Sequence, residues 1–143
     1  MPVVADVMKS DPLVFTGSET MEAAIREFAQ RQIGAAPIVI DGKLAGMVTE
    51  TALLDVVFDP QLRTAPVSEA ADGEFRAVDA ASPLGRAAHQ FGLTAVDCLP
   101  VVDGESFVGM LLRRDVLACA LDAGDTPWNP LAEMTGYAPT PTS

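Results

Sequence analysis

Apolar residues recur at helical spacing in two stretches, Met21, Ala24, Ile25, Phe28 and Ala29, and again Leu84, Ala87, Ala88 and Phe91. Each predicts an amphipathic helix with one face turned to a core. Residues 18–20 (Ser-Glu-Thr) supply a cap ahead of the first helix, and Glu22 suits the positive end of its dipole. Ser82 followed by Pro83 reads as a cap and a first-turn proline for the second. After each helix come two short apolar runs around a turn. Residues 36–40 and 44–48 enclose Asp41-Gly42, and residues 99–102 and 107–111 flank Asp103-Gly104, so each predicts a β-hairpin. Residues 49–58 and 112–121 return to helical spacing, and a short extended piece, near 13–15 or 75–78, precedes the first helix of each set.

The two sets are copies. Met21 onto Leu84, Pro37 onto Pro100 and Gly46 onto Gly109 all differ by 63, and the same offset aligns Val4 with Val67, Phe28 with Phe91 and Leu54 with Leu117 without a gap. The repeated unit is β-α-β-β-α, running over residues 4–58 and 67–121, with 59–66 and its two prolines as the connection. A unit of about 55 residues is marginal alone by surface-to-volume scaling, and one helical layer cannot cover both faces of its sheet. The fold class expected is therefore α+β with α/β-like alternation: two repeats packed through a pseudo-twofold, sheets inside and helices outside. In domain terms this divides the chain into 1–66, 67–121 and a C-terminal tail, 122–143. Such packing leaves two equivalent clefts where hairpin ends and helix starts of the copies meet.

The succession Asp6-Val7-Met8, Ala23-Ala24, Ala36-Pro37-Ile38-Val39, Gly46-Met47-Val48-Thr49 and Leu53-Leu54 resembles a cystathionine beta-synthase (CBS) domain. The second copy resembles it through Leu99-Pro100-Val101-Val102-Asp103, Gly109-Met110-Leu111 and Arg114-Asp115-Val116-Leu117. The resemblance covers residues 3–121. It implies a tandem CBS pair, a regulatory module that in many members binds AMP, ADP, ATP or S-adenosylmethionine.

Members commonly carry Gly, two apolar residues, Thr or Ser, two further residues and Asp where the last strand meets a helix. The hydroxyl meets ribose or phosphate there, and the Asp takes the ribose hydroxyls. The chemistry is reasonable from first principles, since a carboxylate accepts both hydroxyls of a cis-diol and a helix start offers free N–H groups. Here the pattern is split. The first copy keeps Thr49 but has Ala52 in place of the acid, whereas the second keeps Asp115 but has Leu112 in place of the hydroxyl. The resemblance places Met8, Pro12, Leu13, Gly34 and Ala35 around the Asp115 cleft, with Met110, Leu112, Arg113 and Arg114 opposite. Arg113 and Arg114 either hold phosphates or form a solvated pair balancing nearby acids; a helix start opposes their charge, so they need some reason to be there. The second cleft, with Thr49 and Arg76 among Ala71, Phe75 and Asp97, is expected to be weak or empty.

Charge narrows the function further. Nine Lys and Arg against twenty Asp and Glu leave a net charge of −11 over 143 residues, which would repel phosphate backbones and anionic headgroups. Neither nucleic acid nor membrane is expected as a partner. No apolar window reaches the length of a spanning helix and no basic, apolar leader opens the sequence, so the cytoplasm is the expected compartment. Cys98 and Cys119 read as reduced, packed thiols, and His89, the single histidine, as an exposed helix residue. No motif of a catalytic nucleophile, metal site or phosphate-binding glycine loop is present, so an enzyme is not expected and neither is a cofactor beyond a regulatory ligand. Beyond the repeat, the tail carries Trp128, Leu131, Met134 and Tyr137 amid Pro, Gly and Thr. It reads equally as a linker or as a docked segment.

The expectation is a ligand-sensing homodimer with residues 49–58 and 112–121 at its interface. The alternative is a dimerisation or interaction scaffold with decayed sites, the N-terminal regulatory part of a longer protein.

Overall fold

The computed structural model describes residues 2–94 and 96–122. In the first copy helix α1 (Met21–Arg31) precedes the antiparallel hairpin β1 (Ala35–Ile40) and β2 (Lys43–Thr49), which leads into α2 (Glu50–Leu54) and α3 (Pro60–Arg63). In the second, β3 (Val78–Asp79) and α4 (Leu84–Leu93) precede the hairpin β4 (Cys98–Asp103) and β5 (Ser106–Leu112), which leads into α5 (Arg113–Asp122). The 63-residue offset holds to the residue in both hairpins, including a β-bulge at Ile38/Val39 and another at Val101/Val102. β3 pairs in parallel with β4, and its first-copy counterpart is the single parallel bridge from Phe15 to Ile38. The strands run in the order β1-β2-β5-β4-β3, the halves joined at their hairpin ends by Lys43 opposite Ser106.

Each hairpin is apolar nearly throughout because both of its faces are covered. One face packs on helices of its own copy, giving a core around Phe28, Ile38 and Val48 in the first and around Phe91, Val101 and Leu111 in the second. The other faces meet between the copies, where Met47, Cys98 and Met110 form a third cluster flanked by Leu44, Phe75 and Phe107. The α+β architecture with sheets inside and helices outside is as expected. The two hairpin turns differ for a sequence reason. Asp41 (φ 53°) and Gly42 (φ 78°) are both left-handed, as a type I′ turn demands, whereas in the second hairpin only Gly104 (φ 63°) is. The Asp-Gly pairs are 62 apart rather than 63, so the second glycine falls one position earlier in its turn.

The periodic pattern does not disclose how the copies interlock. A 3-10 turn, Val4–Asp6, places Val4 in the core of the second copy, and its counterpart Val67–Ala70 places Val67 in the core of the first. Paired hydrogen bonds repeat the exchange: Val4 N–H to the Ser82 carbonyl (2.9 Å) matches Val67 N–H to that of Glu19 (2.7 Å). Leu84 N–H to the Pro2 carbonyl (3.1 Å) matches Met21 N–H to that of Ala65 (2.9 Å). Each copy thus closes the other's core.

Three local expectations change. The helix expected over 49–58 ends at Leu54, because Asp59 turns its carboxylate to the N–H groups of Gln61 and Leu62 and Pro60 starts α3. Its counterpart α5 has no proline nearby and runs ten residues. The connection is therefore partly helical, and α3 is tied to α1 by Arg63 and Glu22 at 2.7 Å; Arg63 also holds the Glu22 carboxyl below its usual range. Thr20 caps α1 as expected, its hydroxyl accepting from Ala23 N–H, but Ser82 does not cap α4. Pro83 occupies that position with no side-chain bond, and the first N–H is satisfied by Pro2 instead. Among the described residues no helix is long and apolar enough to cross a membrane. Tail residues 123–143 lie outside the described residues.

Candidate functional site

One cleft of about 680 Å³ takes its walls from both copies. The first copy supplies Lys9, Asp11, Pro12 and Leu13 from the segment after the 3-10 turn, and Ile33, Gly34 and Ala35 from the start of β1. Gln32, left-handed at φ 55°, ends α1 and turns the chain into that strand. From the second copy come Asp97 and Cys98 at the start of β4, Met110 and Leu112 on β5, and Arg113, Arg114 and Leu117 on α5. Matched backbone bonds hold the strand and helix starts together: Arg113 N–H donates to the Asp97 carbonyl and Glu50 N–H to that of Gly34, both at 2.9 Å.

Close approaches shape the walls. A Cβ on Gly34 would stand 2.9 Å from Asp97 Oδ2, so only glycine leaves that space to the carboxylate. Lys9 pairs both ways with Met110, donating at 2.7 Å and accepting at 2.9 Å, directly over Gly109. Its Nζ lies 3.8 Å from Asp115 Oδ2, an oxygen enclosed by the protein and without a hydrogen-bond partner.

Of the residues expected here, Pro12, Leu13, Gly34, Ala35, Met110, Leu112, Arg113 and Arg114 line the cleft. Met8 does not. Pairing of Lys9 with Met110 sets the alternation, so that Lys9 borders the cleft while Met8 packs on Gly109 and the second core. Asp115 stands beside the cleft against Lys9 rather than on its wall. Asp97, expected in the other cleft, lines this one, because the start of β4 faces the start of β1 across the pseudo-axis. Thr49 caps α2, its hydroxyl accepting from Ala52 N–H at 3.2 Å, and Arg76 is exposed. Neither lines this cleft or the second groove, of about 420 Å³, between α1 and α2. Lys9, Asp11 and Arg31 are the charged wall residues that the motif pattern does not mark.

Electrostatically the cleft runs against the whole chain. Four cations, Lys9, Arg31, Arg113 and Arg114, face two acids, Asp11 and Asp97, although the chain carries −11. Arg31 is paired with Glu27 at 2.8 Å and Lys9 with Asp115, whereas Arg113 and Arg114 make no ion pair among the described residues. On the wall, burial and then the adjacent Asp97 push the Cys98 thiol up to about 12, so it stays protonated and points at the Ala35 carbonyl, 3.9 Å away. It is a packing group rather than a nucleophile.

The family profile of the CBS domain matches residues 4–59 and again 64–122. Among solved structures the chain is similar to CBSX2 of Arabidopsis thaliana in complex with AMP, at 24% identity and a TM-score of 0.75, over 85% of this chain and 97% of that one. It is also similar to the CBS domain pair of protein MJ0100 in complex with 5′-methylthioadenosine and S-adenosyl-L-methionine, at 20% identity and a TM-score of 0.71, over 87% and 98%. A curated relative, the A-adding tRNA nucleotidyltransferase of Aquifex aeolicus (strain VF5), is 27% identical over 115 residues, 80% of this chain. The chain matches only 14% of that enzyme's length.

Proposed function

This chain belongs to the CBS domain family, as two copies in tandem, and on that premise we propose that it is a regulatory module sensing an adenosine-containing ligand. The observation that carries the reading is the cleft itself, which joins small residues of one copy, Gly34 and Ala35, to the cationic start of α5 in the other. Pro12, Leu13 and Ala35 offer an apolar wall to a base, Gly34 gives its space to the Asp97 carboxylate, Arg113 and Arg114 meet phosphate, and Asp115 accepts from ribose hydroxyls. AMP in CBSX2 and S-adenosylmethionine in MJ0100 support the ligand class. One ligand binds per chain, and the module regulates rather than catalyses.

A thermal-shift panel of AMP, ADP, ATP and S-adenosylmethionine tests this, since a ligand at about 100 times its Kd adds about 2.7 kcal/mol. Asp115→Ala is expected to weaken the best ligand by about 1.5–3 kcal/mol, the value of a charge-assisted hydrogen bond, with little loss of stability. Calorimetric titration and a melt of the same variant measure both.

A second reading, an interaction scaffold, is favoured by one specific feature. Leu54 and Phe58 at the end of the first copy, and their counterparts Leu117 and Leu121 on α5, are all exposed, Phe58 at 92%. We assign these exposed residues to a homodimer interface. A mass near 15.0 kDa by light scattering at micromolar concentration would exclude the dimer, and a panel without any shift would leave the scaffold.

A further inference from the structure

Taking the cleft as the ligand site, we propose that it selects a nucleoside di- or triphosphate over the sulfonium cation S-adenosylmethionine, and that Lys9 sets the preference by exchanging Asp115 for phosphate.

The argument comes from the repeat. The 63-residue offset turns Lys9 into Asp72 and Arg113 into Glu50, and it turns Arg31 and Arg114 into Thr94 and Thr51. Backbone roles are the same at these pairs. Lys9 pairs both ways with Met110, as Asp72 does with Met47, and the N–H groups of Arg113 and Glu50 both hold the start of a strand. Folding therefore makes the same demand at both positions and does not call for opposite charges. Glu50 is also the helix-favouring choice at a helix start, whereas Arg113 and Arg114 oppose the dipole of α5 and have no ion-pair partner among the described residues. The reversal instead matches an anion in this cleft.

Lys9 is the cation with an alternative partner. At 3.8 Å its contact with Asp115 is longer than a hydrogen bond, and its side chain is 59% exposed, so the pair is weak and solvent-screened. Polyphosphate offers Lys9 more charge than one carboxylate does. Its departure leaves the Asp115 carboxylate, 26% exposed as a side chain although its Oδ2 is enclosed, without a competing cation when it accepts from a ribose hydroxyl. S-adenosylmethionine has no phosphate and a net positive charge, a sulfonium and an ammonium against one carboxylate, and it meets four cations there against two acids.

The test is calorimetric titration of the whole chain with adenosine, ADP, ATP and S-adenosylmethionine, for the wild type, Lys9→Met and Lys9→Arg. Wild type should bind ADP or ATP more tightly than adenosine, and S-adenosylmethionine least. In Lys9→Met, whose backbone bonds to Met110 are kept, the ADP-to-adenosine affinity ratio should fall about tenfold or more, and Lys9→Arg should restore much of it. An unchanged ratio in Lys9→Met, or S-adenosylmethionine bound as tightly as ATP, overturns the proposal while leaving the ligand site intact. A wild type that binds none of the four overturns the site and the proposal together.

Discussion

Three glycines face different neighbours, and the neighbour decides what a methyl group would cost. At Gly109 a Cβ would stand 2.5 Å from the carbonyl oxygen of Lys9 and 2.9 Å from Met8 Sδ, so backbone has to move. Gly109→Ala is expected to lift residues 8–9 from β5, break the Lys9–Met110 pairing and cost about 1–3 kcal/mol in urea melts. At the counterpart Gly46 the nearest atoms, of Ala71 and Asp72, stand at 3.3 Å. The same change there should cost clearly less, and equal losses at the two sites would contradict the close approach. At Gly34 a methyl meets only the end of the Asp97 side chain, which can swing away. Gly34→Ala should therefore fold nearly as well as wild type and show its effect in ligand affinity.

Among the elements, α2 is short enough that its start depends on a cap as well as on its one buried residue, Leu53. Five residues long, it rests on Thr49, whose hydroxyl takes the Ala52 N–H. Thr49→Ala is expected to lower stability by about 1 kcal/mol while leaving titration at the cleft unchanged, because Thr49 does not border it. A loss of ligand affinity equal to that of Asp115→Ala would put the working cleft on the other copy. Elements built on periodicity were legible in advance: all four hairpin strands extend the expected runs by a residue at one or both ends, since alternation and the Asp-Gly turns set their registers. Elements that depend on a distant partner were not. Ser82 reads as a cap, yet Pro2 takes the first N–H of α4; Lys9 carries no local signal, because its pairing with Met110, 101 positions away, faces it to the cleft. Gly34, Ala35, Arg113 and Arg114 could be read in advance because the repeat and the family resemblance both mark where strands meet helix starts. The sequence pattern puts Asp97 in the other cleft; its place on this one depends on how the two strand starts face each other across the pseudo-axis.

At the scale of the molecule, the exchanged turns make the two copies one thermodynamic unit. Val4 and Val67 are both fully buried, each in the core of the copy it does not belong to by sequence. Val4→Ala and Val67→Ala should each cost about 1–3 kcal/mol and shift one shared transition, followed by calorimetry or circular dichroism. Two separable transitions would show that the copies fold independently. The same interlock orders events during synthesis. The pocket that receives Val4 includes Val116, 112 residues later in the chain. At translation rates of about 5–20 residues per second, the wait is on the order of 6 to 22 seconds. Val67, by contrast, finds Phe28 and Val48 already made when it emerges. The first copy can close its core while the ribosome is still working, and the Val4 segment, made before that core, waits until after it to find its place.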